Sequence, residues 1–234
     1  MRTNLAAYGM YQVYLNYPFD PSYAALANAL HFGVIAAGLL PVCANDLTSP
    51  DRVRLEMLVD AIVNCHYSAH DLSRCRGEGD ANYGRFNMPI EMGMAMFHAI
   101  KSQRIEHRCA IFVSNQREHQ MFASNLAGLD PIRHSDDDDL LLTGLYEWLR
   151  KVVKSPLLNL QPTVAVREKY RSVKSRLAQI SGGSPNGCPT HDEVQELMYQ
   201  ECSECGWWDW RSSKAGQIEF PILPLSFKDV NTRL

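Results

Sequence analysis

Residues 65–99, CHYSAHDLSRCRGEGDANYGRFNMPIEMGMAMFHA, change character twice. Positions 66–71 read as a short strand, diluted by Ser68 and His70 and ending in Asp71. A glycine-rich, charged loop follows across 77–84. From Met88 to Ile100 the pattern is helical: Ile90, Met94 and Phe97 recur at helical spacing and predict the buried stripe. Glu91 stands beside that stripe near the helix start, where unpaired N–H groups favour a negative charge. A carboxylate placed there, facing a loop rather than open water, is a candidate nucleophile. An exposed first-turn charge is the plain alternative.

The same strand–loop–helix unit recurs on either side. YQVYLN (11–16) is a first strand, with Tyr11, Val13 and Leu15 alternating with Gln12 and Tyr14. Asp20-Pro21 opens a helix, with Asp as cap and Pro at the first helical position. Tyr23, Leu26, Ala27, Leu30 and Val34 carry it to about residue 37, and Gly38 is a suitable stop. Residues 39–44 form a second strand. Ser49-Pro50 repeats the start signal for a helix through Val53, Met57, Leu58, Ala61 and Ile62. CAIFVS (109–114) is apolar throughout, as in the centre of a parallel sheet covered on both faces. A short helix at 118–123 and a strand around 129–132 complete the alternation. Four aspartates, 136–139, then lead into LLLTGLYEWLRKVVKS; acid at the start and base at the end match the helix dipole. Caps and solvated first-turn charge account for those aspartates better than a metal cluster. Helices from about 163 to 180 and from 191 to 201 flank a break at 182–187, and the final stretch carries no assignment.

This order predicts an α/β fold: an open, parallel, five-stranded flavodoxin-like sheet, order 2-1-3-4-5, over residues 8–155, with right-handed connections. A helical C-terminal extension covers 156–234. Ligands in such sheets sit beyond the carboxyl ends of the strands, where the order reverses. Residues 16–20, 45–54, 71–87 and 114–118 would therefore converge on one mouth.

Composition narrows the partners. A chain of 234 residues suits one large domain, or one domain with a small appendage. A net charge of -3 gives no general reason for nucleic acid or an anionic membrane. No apolar run is long enough for a membrane span, and the first 20 residues lack a signal-peptide block. The 7 cysteines, an odd number in a chain large enough to need no staples, point to a reducing compartment, the cytoplasm. Cys43, Cys65 and Cys109 lie in or beside apolar runs, as small core residues do. The glycine-rich loop is not a P-loop, because no GxxxxGK[ST] string exists. His66 and His70 alternate on one strand and, without a third ligand, read as hydrogen-bonded structural residues. Cys188, His191, Cys202 and Cys205 are four soft donors at spacing compatible with a closed, structural zinc site remote from Glu91. Free thiols near Trp207, Trp208 and Trp210 are the other reading.

YLNYPFD (14–20), HDLSR (70–74) and GRFNMPIEMGMA (84–95) resemble the nucleoside 2-deoxyribosyltransferase-like superfamily. Its wider circle includes TIR-like domains that cleave NAD and effector domains of bacterial antiviral systems. The likeness spans roughly residues 10–150 and is best at Glu91-Met92-Gly93-Met94-Ala95. It implies that Glu91 attacks the anomeric carbon of a nucleoside and that Tyr14, the strand-one aromatic, supports it. Family members often carry an aspartate about six residues before the glutamate, which assists the leaving base; here that position is Arg85, with Asn87 between. Asp71 or Asp80 would have to replace it. The likeness also implies a homo-oligomer, since neighbouring subunits often complete such sites.

The chemistry is coherent without the likeness. Breaking an N-glycosidic bond builds positive charge on the sugar, which a nearby carboxylate stabilises or traps covalently. A second, protonated carboxyl helps the base depart, and a base already cationic, such as the nicotinamide of NAD, needs less help. Arg54, Arg74 and Arg85 are candidate phosphate partners. Asn16, Phe19 and Asn87 complete a candidate nucleotide pocket, although Asn87 also reads as a helix cap. The expected activity is N-glycosidic cleavage in a nucleotide, nucleoside or NAD, by hydrolysis or transfer, with no catalytic cofactor. The alternative is a catalytically inactive nucleotide-binding sensor or interaction module in bacterial antiviral defence, with a regulatory protein partner. A phosphoryl-transfer domain on the same fold is disfavoured, because YLNYP holds no acidic pair for magnesium.

Overall fold

Five short strands form one sheet in the computed structural model, which describes residues 12–47, 49–75, 85–102, 107–115, 130–154, 158, 160–183 and 189–207. They are β1 (Gln12–Asn16), β2 (Leu40–Cys43), β3 (Tyr67–Asp71), β4 (Arg108–Val113) and β5 (Ile132–Arg133). Their order is β2-β1-β3-β4-β5, the flavodoxin-like order expected, and every neighbouring pair is parallel, as the alternation of the sequence predicts.

A parallel sheet must be covered on both faces, and successive side chains of a strand point to opposite faces. Val13, Leu15, Tyr67, Ala69, Ala110 and Phe112 share one face, with α1 (Ala24–Ala36) and α4 (Asp138–Val152) packed on it. Tyr14 turns to the other, covered by α2 (Arg54–Asn64) and α3 (Asn87–Lys101). Ile111 and Val113 follow it, against Met88 and Met92 of α3. Two further helices, α5 (Thr163–Gly183) and α6 (His191–Glu204), pack over α1. Val166, Tyr170, Val173, Leu197, Met198 and Cys202 join the same apolar core as β1. Helix α1 is thus buried nearly all round, which explains why so few of its positions are polar. Glu201 of α6 is buried between α5 and α6, where Lys169 and Arg176 pair with it.

Two glycines permit close packing. A Cβ on Gly33 of α1 would lie 3.1 Å from the ends of Leu142 and Leu145 of α4. A Cβ on Gly144 would collide with Ile132, so that glycine lets α4 rest on β5. Gly38 ends α1 in the left-handed region, at φ 74, as its position predicts.

Several local expectations change. Pro21 opens a 3-10 turn, Pro21–Tyr23, before α1, but the Asp20 carboxylate caps nothing; it pairs with Arg85 instead. Helix α2 starts at Arg54, four residues after Pro50, with Val53 extended ahead of it. β5 lies slightly later than expected, and the helix expected at 118–123 falls outside the described residues. The aspartates at 136–139 do cap and clamp: Asp137 accepts from the Leu140 N–H at 2.8 Å, Asp139 pairs with Arg167, and Asp138 lies 2.7 Å from Lys174. The largest correction is the phase of α3. Its buried residues are Met88, Glu91, Met92 and Ala95, whereas Ile90 and Phe97 are 52% and 66% exposed. Both stripes have the same period, so periodicity cannot choose between them; the contacts made by Glu91 and the small Ala95 do. Among the described residues no helix is long and apolar enough to cross a membrane.

Candidate active site

The strand order reverses at β1, which has β2 on one side and β3 on the other. A cleft of about 710 Å³ opens at its carboxyl end. Its walls are the turn after β1, Ala44 beyond β2, the start of α2 and the start of α3. Glu91, Asn16, Phe19, Arg54, Arg85 and Asn87 all line it. Residues far apart in the chain meet there because each sits just past a strand or at the first turn of a helix on the same edge of the sheet.

Glu91 forms the floor and is 8% exposed. The fully buried Tyr14 reaches up from β1, and its hydroxyl donates to Glu91 Oε2 at 2.8 Å. Burial raises the Glu91 pKa above the usual carboxylate range; the Tyr14 hydrogen bond and the Arg54 charge work against that rise. Burial, followed by the Glu91 charge, raises the Tyr14 phenol well above its ordinary value, so it stays a donor. Arg54 also donates to the Ala44 carbonyl at 3.1 Å. Arg85 pairs with Asp20 on a partly exposed edge of the cleft. Phe19, Leu55, Phe86 and Ile90 make an apolar, half-open rim, and the Phe19 ring meets Tyr17 edge-on at 5.0 Å. Such a rim suits a planar base.

Asn16 is held from two sides: its amide donates to the Met88 carbonyl at 2.8 Å and lies 3.0 Å from His70 Nδ1. With Nδ1 accepting, His70 Nε2 carries the proton toward Ser68 Oγ at 2.8 Å. Ser68 Oγ in turn lies 2.8 Å from His107 Nε2, and His107 Nδ1 lies 2.7 Å from the Cys65 carbonyl. Burial lowers the pKa of His70 to about 3 and that of His107 to about 4, so both rings stay neutral. His70 is a hydrogen-bonded structural residue, as the absence of a third ligand beside His66 and His70 in the sequence indicates. What it positions, the cleft residue Asn16, no sequence signal reveals.

Two candidates, Asp71 and Arg74, stand elsewhere. Asp71 shares its side of β3 with Tyr67 and Ala69, across the sheet from Glu91. There it accepts from the Tyr23 hydroxyl and from the Ser73 N–H at 2.7 Å, with His134 Nε2 3.1 Å away. It ties strand ends together and is not placed to assist a leaving base in the cleft. Arg74 lies 3.7 Å from Asp136 and is not among the cleft residues. Asn87 lines the cleft but caps nothing: Phe86 occupies the cap position, and Asn87 is the first residue of α3. Asp80 lies outside the described residues.

The expected zinc set does not assemble. His191 begins α6 and Cys202 lies near its other end. At 1.5 Å per residue they stand about 16 Å apart along one continuous helix, too far to share an ion. Cys202 is buried in the core and Cys205 is exposed, while Cys188 lies outside the described residues. His191 instead meets His31 and Cys43. A hydrogen bond with Asp46, then one with Cys43, holds the His191 pKa up at about 10, while burial pushes His31 down to about 3.

Set against protein-family models and curated proteins, the chain matches none.

Proposed function

We propose that the cleft cleaves an N-glycosidic bond in a nucleotide, nucleoside or NAD, with Glu91 as the nucleophile. The observation that carries this reading is the 2.8 Å hydrogen bond from the Tyr14 hydroxyl to Glu91 Oε2 at the floor of the cleft. Tyr14 holds one carboxylate oxygen, and Oε1 is the atom that attacks C1′ of the sugar. The C1′–N bond breaks with its electron pair leaving on the base, and an ester forms between Oε1 and C1′. Water then attacks C1′, which restores the carboxylate and releases a proton to solvent. A second base in place of water completes a transfer.

Glu91 is the sole carboxylate among the described cleft residues. With no second acid beside it, a base that leaves neutral is favoured, and the nicotinamide of NAD is such a base. Arg54 and Arg85 are the phosphate partners, with Arg85 exchanging Asp20 for the ligand. Phe19 and Phe86 on the rim receive the planar base.

Incubation with NAD and with a panel of nucleosides and nucleotides, following release of free base, tests the proposal. Turnover lost in Glu91→Gln, which keeps the shape and removes the charge, supports it. Equal turnover in both proteins refutes it. The exchangeable Arg85–Asp20 pair also fits a second reading, a nucleotide sensor without chemistry. Tight nucleotide binding with no base release by either protein selects that reading.

A further inference from the structure

On the sheet face covered by α1, just behind the cleft wall, donors from three elements converge. We propose that His31, Cys43, Asp46 and His191 bind a structural zinc ion that fastens α6 to the end of β2. One donor atom from each of His31, Cys43 and His191 lies within 4.8 Å of the others. Cys43 Sγ is 3.9 Å from His191 Nε2, and Asp46 Oδ1 is 3.2 Å from the same nitrogen. A tetrahedral zinc with Zn–N and Zn–S bonds of about 2.0–2.3 Å holds its donors roughly 3.3–3.7 Å apart. His31, Cys43 and His191 reach that spacing by a small contraction, and Asp46, which stands beside His191 but outside the group of three, turns toward them to supply the fourth donor. Two imidazoles, a thiolate and a carboxylate suit zinc better than magnesium or calcium, which take oxygen donors.

The surroundings are those of a supported site. The Cys43 N–H donates to Asp46 Oδ2 at 2.7 Å, which leaves Oδ1 for an ion. The Tyr17 hydroxyl lies 2.8 Å from His31 Nε2 and so orients that ring. Most telling is Gln195. Its amide nitrogen lies 2.7 Å from His191 Nε2 and 3.3 Å from His31 Nδ1. Two ring nitrogens from different helices thus aim at one polar point, where the Gln195 amide also sits. Gln195 sits one turn after His191, so its side chain can swing aside without moving α6. With four protein donors the site is closed, and its role is to brace the wall that carries Ala44 and Tyr17.

The test is metal content and cobalt spectroscopy on the full chain purified without chelator. The expected result is one zinc per chain and, after exchange, a tetrahedral cobalt spectrum with a thiolate charge-transfer band. His191→Gln should weaken zinc binding by more than the roughly 10–100-fold that loss of an outer partner costs. It should also abolish the zinc-dependent rise in Tm. Cys43 is fully buried, so Cys43→Ser is read only alongside His191→Gln, whose position is 31% exposed at the side chain. Cys188→Ser and Cys205→Ser should keep both the metal and the band. A wild-type chain with no zinc and no thiolate band overturns the proposal, leaving the His191–Asp46 ion pair as the whole of the cluster. A band that survives Cys43→Ser but disappears in Cys188→Ser or Cys205→Ser overturns it as well. Neither readout uses base release, so the result stands whatever Glu91 does.

Discussion

Replacing Tyr14 by Phe removes one oxygen from the floor of the cleft and leaves the ring in place. The lost bond, 2.8 Å to Glu91 Oε2, ends on a carboxylate that is only 8% exposed, so water cannot readily replace it. A hydrogen bond to a charged group contributes about 1.5–3 kcal/mol. Burial already raises the Glu91 pKa and the Tyr14 hydroxyl opposes that rise, so the variant carboxyl should hold its proton to still higher pH. At about 1.4 kcal/mol per tenfold change in rate, base release on the acid side of the pH profile should fall roughly 10–100-fold. Well above the acid limb, where Glu91 is ionised in both proteins, the two rates should differ by only a few-fold. The measurement is initial rate of base release against pH, with folding checked by circular dichroism. An acid limb that stays where it was in Tyr14→Phe, in a protein that Glu91→Gln inactivates, would refute the assignment of Tyr14 to the reacting carboxylate.

Glu91→Gln should also be more stable than the parent. A carboxyl whose folded-state pKa is raised favours the native state below its unfolded pKa and loses that benefit as pH rises through the folded value. Urea midpoints should therefore diverge at pH 7 and coincide near about pH 4, the ordinary Glu range. His70 gives the opposite slope: its pKa is depressed to about 3, so its contribution is present above about 6.5 and is lost as pH falls. Stability should drop by about 2 kcal/mol between pH 7 and 5 from this group alone, and His70→Asn should flatten that slope in denaturant titrations. Gly144→Ala should destabilise by about 1–3 kcal/mol, since its Cβ meets Ile132. Gly93→Ala, with nothing within 4 Å of its Cβ, should stabilise α3 by about 1 kcal/mol. A drop in Tm for Gly93→Ala would mean that a second surface rests on α3 at that point.

The sheet was legible because its signals are local. CAIFVS is apolar on both faces, Gly38 stops a helix, and the acid-to-base gradient from Asp137 to Lys151 marks another. Alternation of elements gives a parallel sheet, whereas the order 2-1-3-4-5 is a choice of the flavodoxin-like arrangement among several that the same alternation allows. The cleft was half legible: the glutamate, the tyrosine beneath it and the loops at one edge of the sheet could be named. Which face each side chain takes could not. Ile90 and Glu91 are neighbours on one helix, in stripes of equal period, and only the contact with Tyr14 of β1 decides that Glu91 turns in. Asp71 follows His70 by one residue, and that single step puts it on the far face. Cys-x2-His and Cys-x2-Cys spacing groups His191 with Cys202, yet a rigid helix holds them apart, and the partners it does meet, His31 and Cys43, lie far up the chain. Asn16 and His70 are 54 positions apart, a pairing that only the register of β1 against β3 creates.

Helix α1 is covered on nearly every side past its first turn, and part of that covering comes from residues beyond 160. A chain cut back to its first 155 residues would lay Phe32, which meets Tyr170 at 5.3 Å, open to water. Such a fragment is expected to cling to itself rather than fold, and rescue by adding the missing helices in trans would be the natural remedy. Excision, permutation and fusion of this protein should therefore treat its tail as an inner wall of the building.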